Sequence, residues 1–157
     1  MGRLIGRLLP VVVIAAAGAG AALATNARTT ATATVNAGKT AKYGTVLIAS
    51  NKHSLYRFTP DTKGKDTCTG ACTSYWHAYV ITGSAKPTAG AGVTASMLGT
   101  IKHGGARQVT YGGYALYTYV GDTKAGDVTG EAVQKTWYLV NAKGQLVKKA
   151  AAKSGWG

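Results

Sequence analysis

The sequence predicts an all-β fold: two repeated β-hairpin units packed as a small sandwich or barrel with pseudo-twofold symmetry. Three observations predict it. Sliding the chain against itself by 61 residues superposes a set of distinctive residues. Short alternating or β-branched runs recur between turn formers, in a chain with 22 glycines among 157 residues. No stretch carries the sustained 3.6-residue period of a long amphipathic helix.

The repeat comes first, because it fixes the architecture. Gly44 falls on Gly105, Leu55-Tyr56 on Leu116-Tyr117, and Phe58 on Tyr119. Asp61-Thr62-Lys63 falls on Asp122-Thr123-Lys124, Asp66 on Asp127, and Trp76 on Trp137, all at one offset without gaps. The chain has five carboxylates, and four of them form the pairs Asp61/Asp122 and Asp66/Asp127; the fifth is Glu131. A strongly basic chain could place its few acids anywhere, so their position just after the aromatic strand marks a local need for a carboxylate.

Along the chain, Arg3 and Arg7 precede an apolar run from Leu8 to Leu23 of about 16 residues, short of the roughly 20 that span a bilayer. Ala22-Leu23-Ala24 fits the small-x-small cleavage pattern, so residues 1–24 are expected to be a cleaved signal peptide. A cut after Ala27 and an uncut membrane anchor remain the alternatives. Residues 25–42 are rich in Thr and Ala and read as a flexible leader, with room for one strand near its end. A single β domain is then expected over 43–149, with repeats at about 44–82 and 105–149 and a C-terminal tail over 150–157.

In the first repeat, Thr45 to Ala49 is a strand and Asn51-Lys52 a turn. Ser54 to Thr59 alternates, with Tyr56 and Phe58 on one face and Leu55 and Arg57 on the other. His77 to Thr82 is a further strand. Gly83 to Gly92 is a loop, and Thr94 to Leu98 a single helical turn with Thr94 as its N-cap. In the second repeat, Arg107 to Tyr111 and Tyr114 to Val120 are strands joined by Gly112-Gly113, a pair suited to a two-residue hairpin turn. Thr136 to Asn141 and Gln145 to Lys149 form a last hairpin around Ala142-Lys143-Gly144. Neither half, at roughly 60 residues, would bury enough surface to be secure alone.

The formal charge is +13, and removal of residues 1–24 leaves 16 basic against 5 acidic side chains. Such a balance attracts anionic partners, here a cell-wall polymer or a membrane surface. The lysines are dispersed, with one small cluster at Lys148, Lys149 and Lys153, and no basic-aromatic motif points to specific nucleic-acid binding.

Cys68 and Cys72 are the only cysteines, and in an exported chain an even count reads as a disulfide. Alternatives are a redox pair, or a metal site completed by His77. Asp61 and Asp122 each follow an aromatic strand by one turn and are expected to lock that turn through backbone N–H groups two residues on. A calcium site or an acid/base pair is the functional alternative. Asp66 and Asp127 are expected at the surface beside lysines. Tyr56, Phe58, Trp76, Tyr117, Tyr119 and Trp137 are expected in the core, the rival being a platform that stacks on sugars. His53, His77 and His103 share no repeat position. No catalytic triad, phosphate-cradling glycine loop or paired-cysteine zinc pattern is present, and no cofactor is implied.

The segments Leu55-Tyr56-Arg57-Phe58-Thr59-Pro60-Asp61 and Leu116-Tyr117-Thr118-Tyr119-Val120-Gly121-Asp122 resemble the Tyr-x-aromatic-x-x-Asp motif of a bacterial family of secreted repeats of unknown function, often labelled predicted lipoproteins. Residues 62–72 followed by Trp76, then 89–93 and 98–101, resemble that family too. The resemblance covers about residues 43–147. It implies no established activity. Two departures stand out: no cysteine lies near the signal segment to carry a lipid, and His77-Ala78 follow Trp76 where the family has prolines.

The expected function is therefore that of an exported, non-enzymatic β-module of the cell envelope or extracellular space, binding an anionic or glycan envelope component. The rivals are a secreted redox or metal-binding protein using Cys68 and Cys72, and an enzyme using Asp61 and Asp122.

Overall fold

Residues that alternate in burial begin earlier than composition indicates. The computed structural model describes residues 32–148. The signal segment 1–24 and the tail 150–157 lie outside the described residues. The segment expected to be a flexible leader supplies strand β1 (Thr34–Thr40), paired antiparallel with β2 (Gly44–Ala49) over six residue pairs. Ala33 and Val35 of this segment are buried in the core. The ordered domain therefore starts at least ten residues before 43. β1 takes up the room for one strand near the end of that segment, and it needs few large side chains of its own: β2 brings Val46 and Leu47, both fully buried.

The fold is all-β, with two repeats and several sheets; none closes into a barrel among the described residues. The central sheet has the order β11-β3-β10-β4, built from β3 (Tyr56–Phe58), β4 (Trp76–Ala78), β10 (Tyr117–Tyr119) and β11 (Trp137–Leu139). Its register carries the symmetry. Tyr56 pairs with Tyr117, its own repeat mate, at the centre. Trp137 pairs with Phe58 on one side, and Trp76 pairs with Tyr119 on the other. Each repeat thus sends its tryptophan strand to the other repeat's motif strand, and neither repeat completes the sheet alone.

On the flanks, β1 lies between β2 and β6 (Thr88–Ala89) and pairs with both, and β8 (Ala106–Tyr111) pairs with β5 (Val80–Ile81), β7 (Leu98–His103) and β9 (Tyr114–Ala115). The expected single strand 114–120 is broken at Leu116. Ala115 and Tyr117 pack with one apolar cluster and Leu116 with the other, while the chain passes from β8 to the central sheet. The expected strand 77–82 breaks in the same way at Tyr79, which hydrogen-bonds Val109 and Leu116. The loop 83–92 contributes β6, and Ala95–Met97 forms a 3-10 turn whose Thr94 makes no side-chain cap. The last hairpin shrinks to β11, one bridge between Val140 and Leu146, and a turn held by Asn141.

The 61-residue offset holds for the motif strands, Asp61/Asp122 and the tryptophans, but not throughout. Leu55 N–H donates to Leu47, and Leu116 N–H donates to Val109, so β2 and β8 correspond at 62. The first hairpin has one more loop residue than the Gly112-Gly113 turn. Both apolar clusters draw on both repeats: one joins Val35, Leu47, Leu55, Ile81, Val109, Leu116 and Val140, the other surrounds Tyr56, Tyr117, Trp76 and Trp137.

Candidate functional site

The motif residues converge in pairs across the two repeats. The Tyr56 hydroxyl donates to Asp122 Oδ2 at 2.6 Å, and the Tyr117 hydroxyl donates to Asp61 Oδ2 at 2.8 Å. The other oxygen of each acid takes a threonine twice. Asp61 Oδ1 accepts from Thr67 N and Oγ1, both at 2.7 Å, and Asp122 Oδ1 accepts from Thr129 N at 2.9 Å and Oγ1 at 2.6 Å. Both carboxylates are 3% exposed, so these donors replace the lost water. The expectation of a local turn two residues on is therefore corrected. Each acid ties its own loop, six or seven residues on, to the other repeat's tyrosine. Sequence reasoning missed Thr67 and Thr129 because they match at 62 rather than 61. Burial, then hydrogen bonding to a carboxylate, push the Tyr56 and Tyr117 hydroxyls far above the ordinary tyrosine range.

Beside these locks the aromatic residues form one column. Trp76 and Trp137 stack with centroids 3.8 Å apart and planes within 3°. Phe58 stacks on the outer side of Trp137 at 4.3 Å, and Tyr119 on the outer side of Trp76 at 4.4 Å. Tyr56 and Tyr117 meet Trp76 and Trp137 edge-on at 5.2 and 5.1 Å. Both faces of both indoles are covered by protein rings, which removes the tryptophans as a platform for a sugar. An open cleft of about 520 Å³ runs along the column, lined by Phe58, Tyr119, the tryptophan edges, Cys72, Tyr75 and Gln134. Tyr75 on its rim is 59% exposed.

Opposite walls of the cleft use different means to hold the same turn. In the first repeat, Cys68 and Cys72 form a disulfide, with Cys68 buried against the Trp76 cluster. In the second, Ala132, Gln134 and Lys135 all adopt the left-handed backbone that L-residues disfavour. His77 joins Cys68 in lining a second, smaller hollow, but no three metal-ligating side chains cluster among the described residues.

The remaining acids depart from their expected roles. Asp66 Oδ2 meets His103 Nδ1 at 2.9 Å, while Asp127 Oδ2 accepts the backbone N–H groups of Thr123 and Lys124. One residue more in the second loop lets Asp127 turn back on that loop, so this pair shares sequence position without sharing a partner. Glu131, which the repeat did not single out, accepts Leu139 N–H at 2.6 Å with Oε2 and leaves Oε1 buried without a partner. Burial raises its carboxyl from 4.5 to about 7, against the lowering pull of the Leu139 hydrogen bond and Lys42.

A family described as a secreted repeat of unknown function matches the chain twice, over residues 38–79 and 100–141, together more than half of it. The chain belongs to this family. No curated protein and no solved structure gave a match. The two matched stretches of the secreted repeat contain the motif strands and tryptophans of the lock, and the disulfide loop falls within the first. No helix among the described residues is long and apolar enough to cross a membrane.

The same hydrogen bonds occupy the acids of the secreted repeat with partners other than lysine or arginine. All five carboxylates bond to hydroxyls, backbone N–H groups or His103. No lysine or arginine among the described residues pairs with a carboxylate; the one ion-pair contact is His103 with Asp66. Arg107 donates to the carbonyls of Gly83 and Ala85. Arg57 instead lies over the ring of Tyr114, 3.1 Å from its centroid, with Nε buried and unpartnered.

Proposed function

We propose that the secreted repeat is a non-enzymatic extracellular module that binds an anionic component of the cell envelope through its uncompensated positive surface. One observation carries the reading: the fold engages its Asp and Glu side chains internally and leaves the lysines among the described residues without acidic partners. A surface of one sign attracts polyanions over about a Debye length, roughly 8 Å at physiological ionic strength. The locked acids support the same reading. Each oxygen of Asp61 and Asp122 already has a donor, which leaves these carboxylates poorly placed to take a proton from a substrate or to ligate calcium. Cys68 and Cys72 bond to each other and support a loop.

Co-sedimentation of the purified mature chain with peptidoglycan, teichoic acid, and vesicles of anionic or zwitterionic lipid tests the reading. Retention on an anionic phase at low salt, released as salt rises, is expected. Absence of retention on every anionic phase at low salt refutes it.

A further inference from the structure

The pseudo-twofold relation supplies an internal control. Features required by the fold recur in both repeats: the Tyr–Asp locks, the tryptophans and the flanking rings. Features present once answer to something else. The largest charged feature of this kind lies on the outer side of the central sheet. Arg57 of β3 and Tyr138 of β11 are directly paired, so their side chains share a face. Lys148 Nζ sits 5.4 Å from the Tyr138 ring centroid, and Arg57 covers Tyr114. Lys63 Nζ reaches the same Tyr114 ring at 6.0 Å. Cations and tyrosines therefore alternate as Lys148, Tyr138, Arg57, Tyr114, Lys63. At the symmetry-related positions stand His77, Thr118 and His53 for Tyr138, Arg57 and Tyr114, while Lys63 recurs as Lys124. The fold tolerates Thr and His there, so it does not require the stripe.

We propose that this stripe is a docking track for a linear, phosphodiester-linked polyanion; the proposal rests on the anionic-partner reading above and names its site and ligand chemistry. Arg57 Nε has no protein acceptor among the described residues. Its planar fork matches the two free oxygens of a phosphodiester, while Lys63 and Lys148 act as point charges for neighbouring groups. Tyr114 holds the guanidinium in place, which lowers the ordering cost of binding. Among the described residues, no carboxylate pairs with any of the three cations. The tyrosine faces carry cations, so the track engages the charged groups of a chain rather than stacking on bases or sugar rings.

The test uses the full mature chain and poly(glycerol phosphate) as probe, with affinity measured across a salt series. Arg57→Thr with Tyr114→His rewrites the track as its symmetry mate. Lys102→Thr removes one equal charge outside the track, on β7. The track variant is expected to bind about tenfold or more weakly, the scale of a lost hydrogen bond to a charged group. Lys102→Thr is expected to change affinity by less than about twofold. Thermal melting verifies that both variants fold. Equal weakening by the two variants overturns the track and leaves the broader reading standing; absence of binding by the unaltered chain at low salt overturns both. Poly-glutamate bound as tightly overturns the phosphodiester assignment, inorganic phosphate bound as tightly overturns a linear ligand, and single-stranded DNA bound more tightly overturns a ligand without bases.

Discussion

The two tyrosine locks are near-copies, and an extra contact at the Tyr56 hydroxyl predicts an ordering. Tyr117→Phe removes the hydroxyl that donates to Asp61 Oδ2 at 2.8 Å but keeps the ring against Trp137. A hydrogen bond to a charged acceptor contributes about 1.5–3 kcal/mol, and here the deserted oxygen is buried, so the upper part of that range applies. Tyr56→Phe removes the same kind of bond, at 2.6 Å to Asp122. It also strips the acceptor from Gly130 N–H, which meets the Tyr56 hydroxyl at 3.2 Å in a buried place. That adds about 1 kcal/mol for an orphaned backbone donor. Urea denaturation of the two variants gives the comparison directly. The expected order of stability is unaltered chain, then Tyr117→Phe, then Tyr56→Phe. A loss below about 0.5 kcal/mol for Tyr117→Phe, the range of ordinary surface changes, refutes the lock. A larger loss for Tyr117→Phe than for Tyr56→Phe refutes the accounting for Gly130.

Glu131 predicts a pH dependence with a definite sign. Its carboxyl keeps its proton to about 7 when folded and to about 4.5 when unfolded. Its contribution is therefore fully present below about 4.5 and is lost as pH rises through 7. Glu131→Gln should flatten the stability profile in that window, as followed by thermal melts at stepped pH; an unchanged slope counts against it. Gly130→Ala should destabilise by about 1–3 kcal/mol, because the added methyl would lie 2.7 Å from Trp76 and 2.9 Å from Tyr56, both held rings. A neutral effect in denaturant titration means that the column can shift. Reduction of the Cys68–Cys72 bond should cost about 2 kcal/mol, the loop-closure value for so small a ring, without loss of fold. Unfolding on addition of reductant would show that the disulfide does more than brace its turn.

The all-β class and the repeat were legible because Tyr56/Tyr117, Asp61/Asp122 and Trp76/Trp137 stand at one spacing, and spacing survives in sequence. The exchange of strands was not legible. Nothing in the local pattern of Trp137 says whether it pairs with Phe58 or with Tyr119, since both are aromatic and both belong to an identical motif. The sequence left room for a strand near the end of 25–42 but not its place in the core, because Val35 is the only large apolar residue that Thr34–Thr40 contributes, and its burial depends on β2 across the hairpin. The donors to the acids were missed for a simpler reason. One residue more between Asp122 and Thr129 than between Asp61 and Thr67 carries the threonines out of a gapless alignment. Arg57 was assigned correctly to the side of β3 opposite Tyr56, yet its neighbour Tyr114 comes from the other repeat and no pairwise spacing announces it.

In the central sheet β3 has β10 on one side and β11 on the other, both contributed by the later half of the chain. A polypeptide bearing one copy could build this ladder only by recruiting an identical molecule, and its folding would then hinge on concentration. Covalent duplication removes that dependence. A tethered pair stays assembled at any dilution, which suits a secreted repeat.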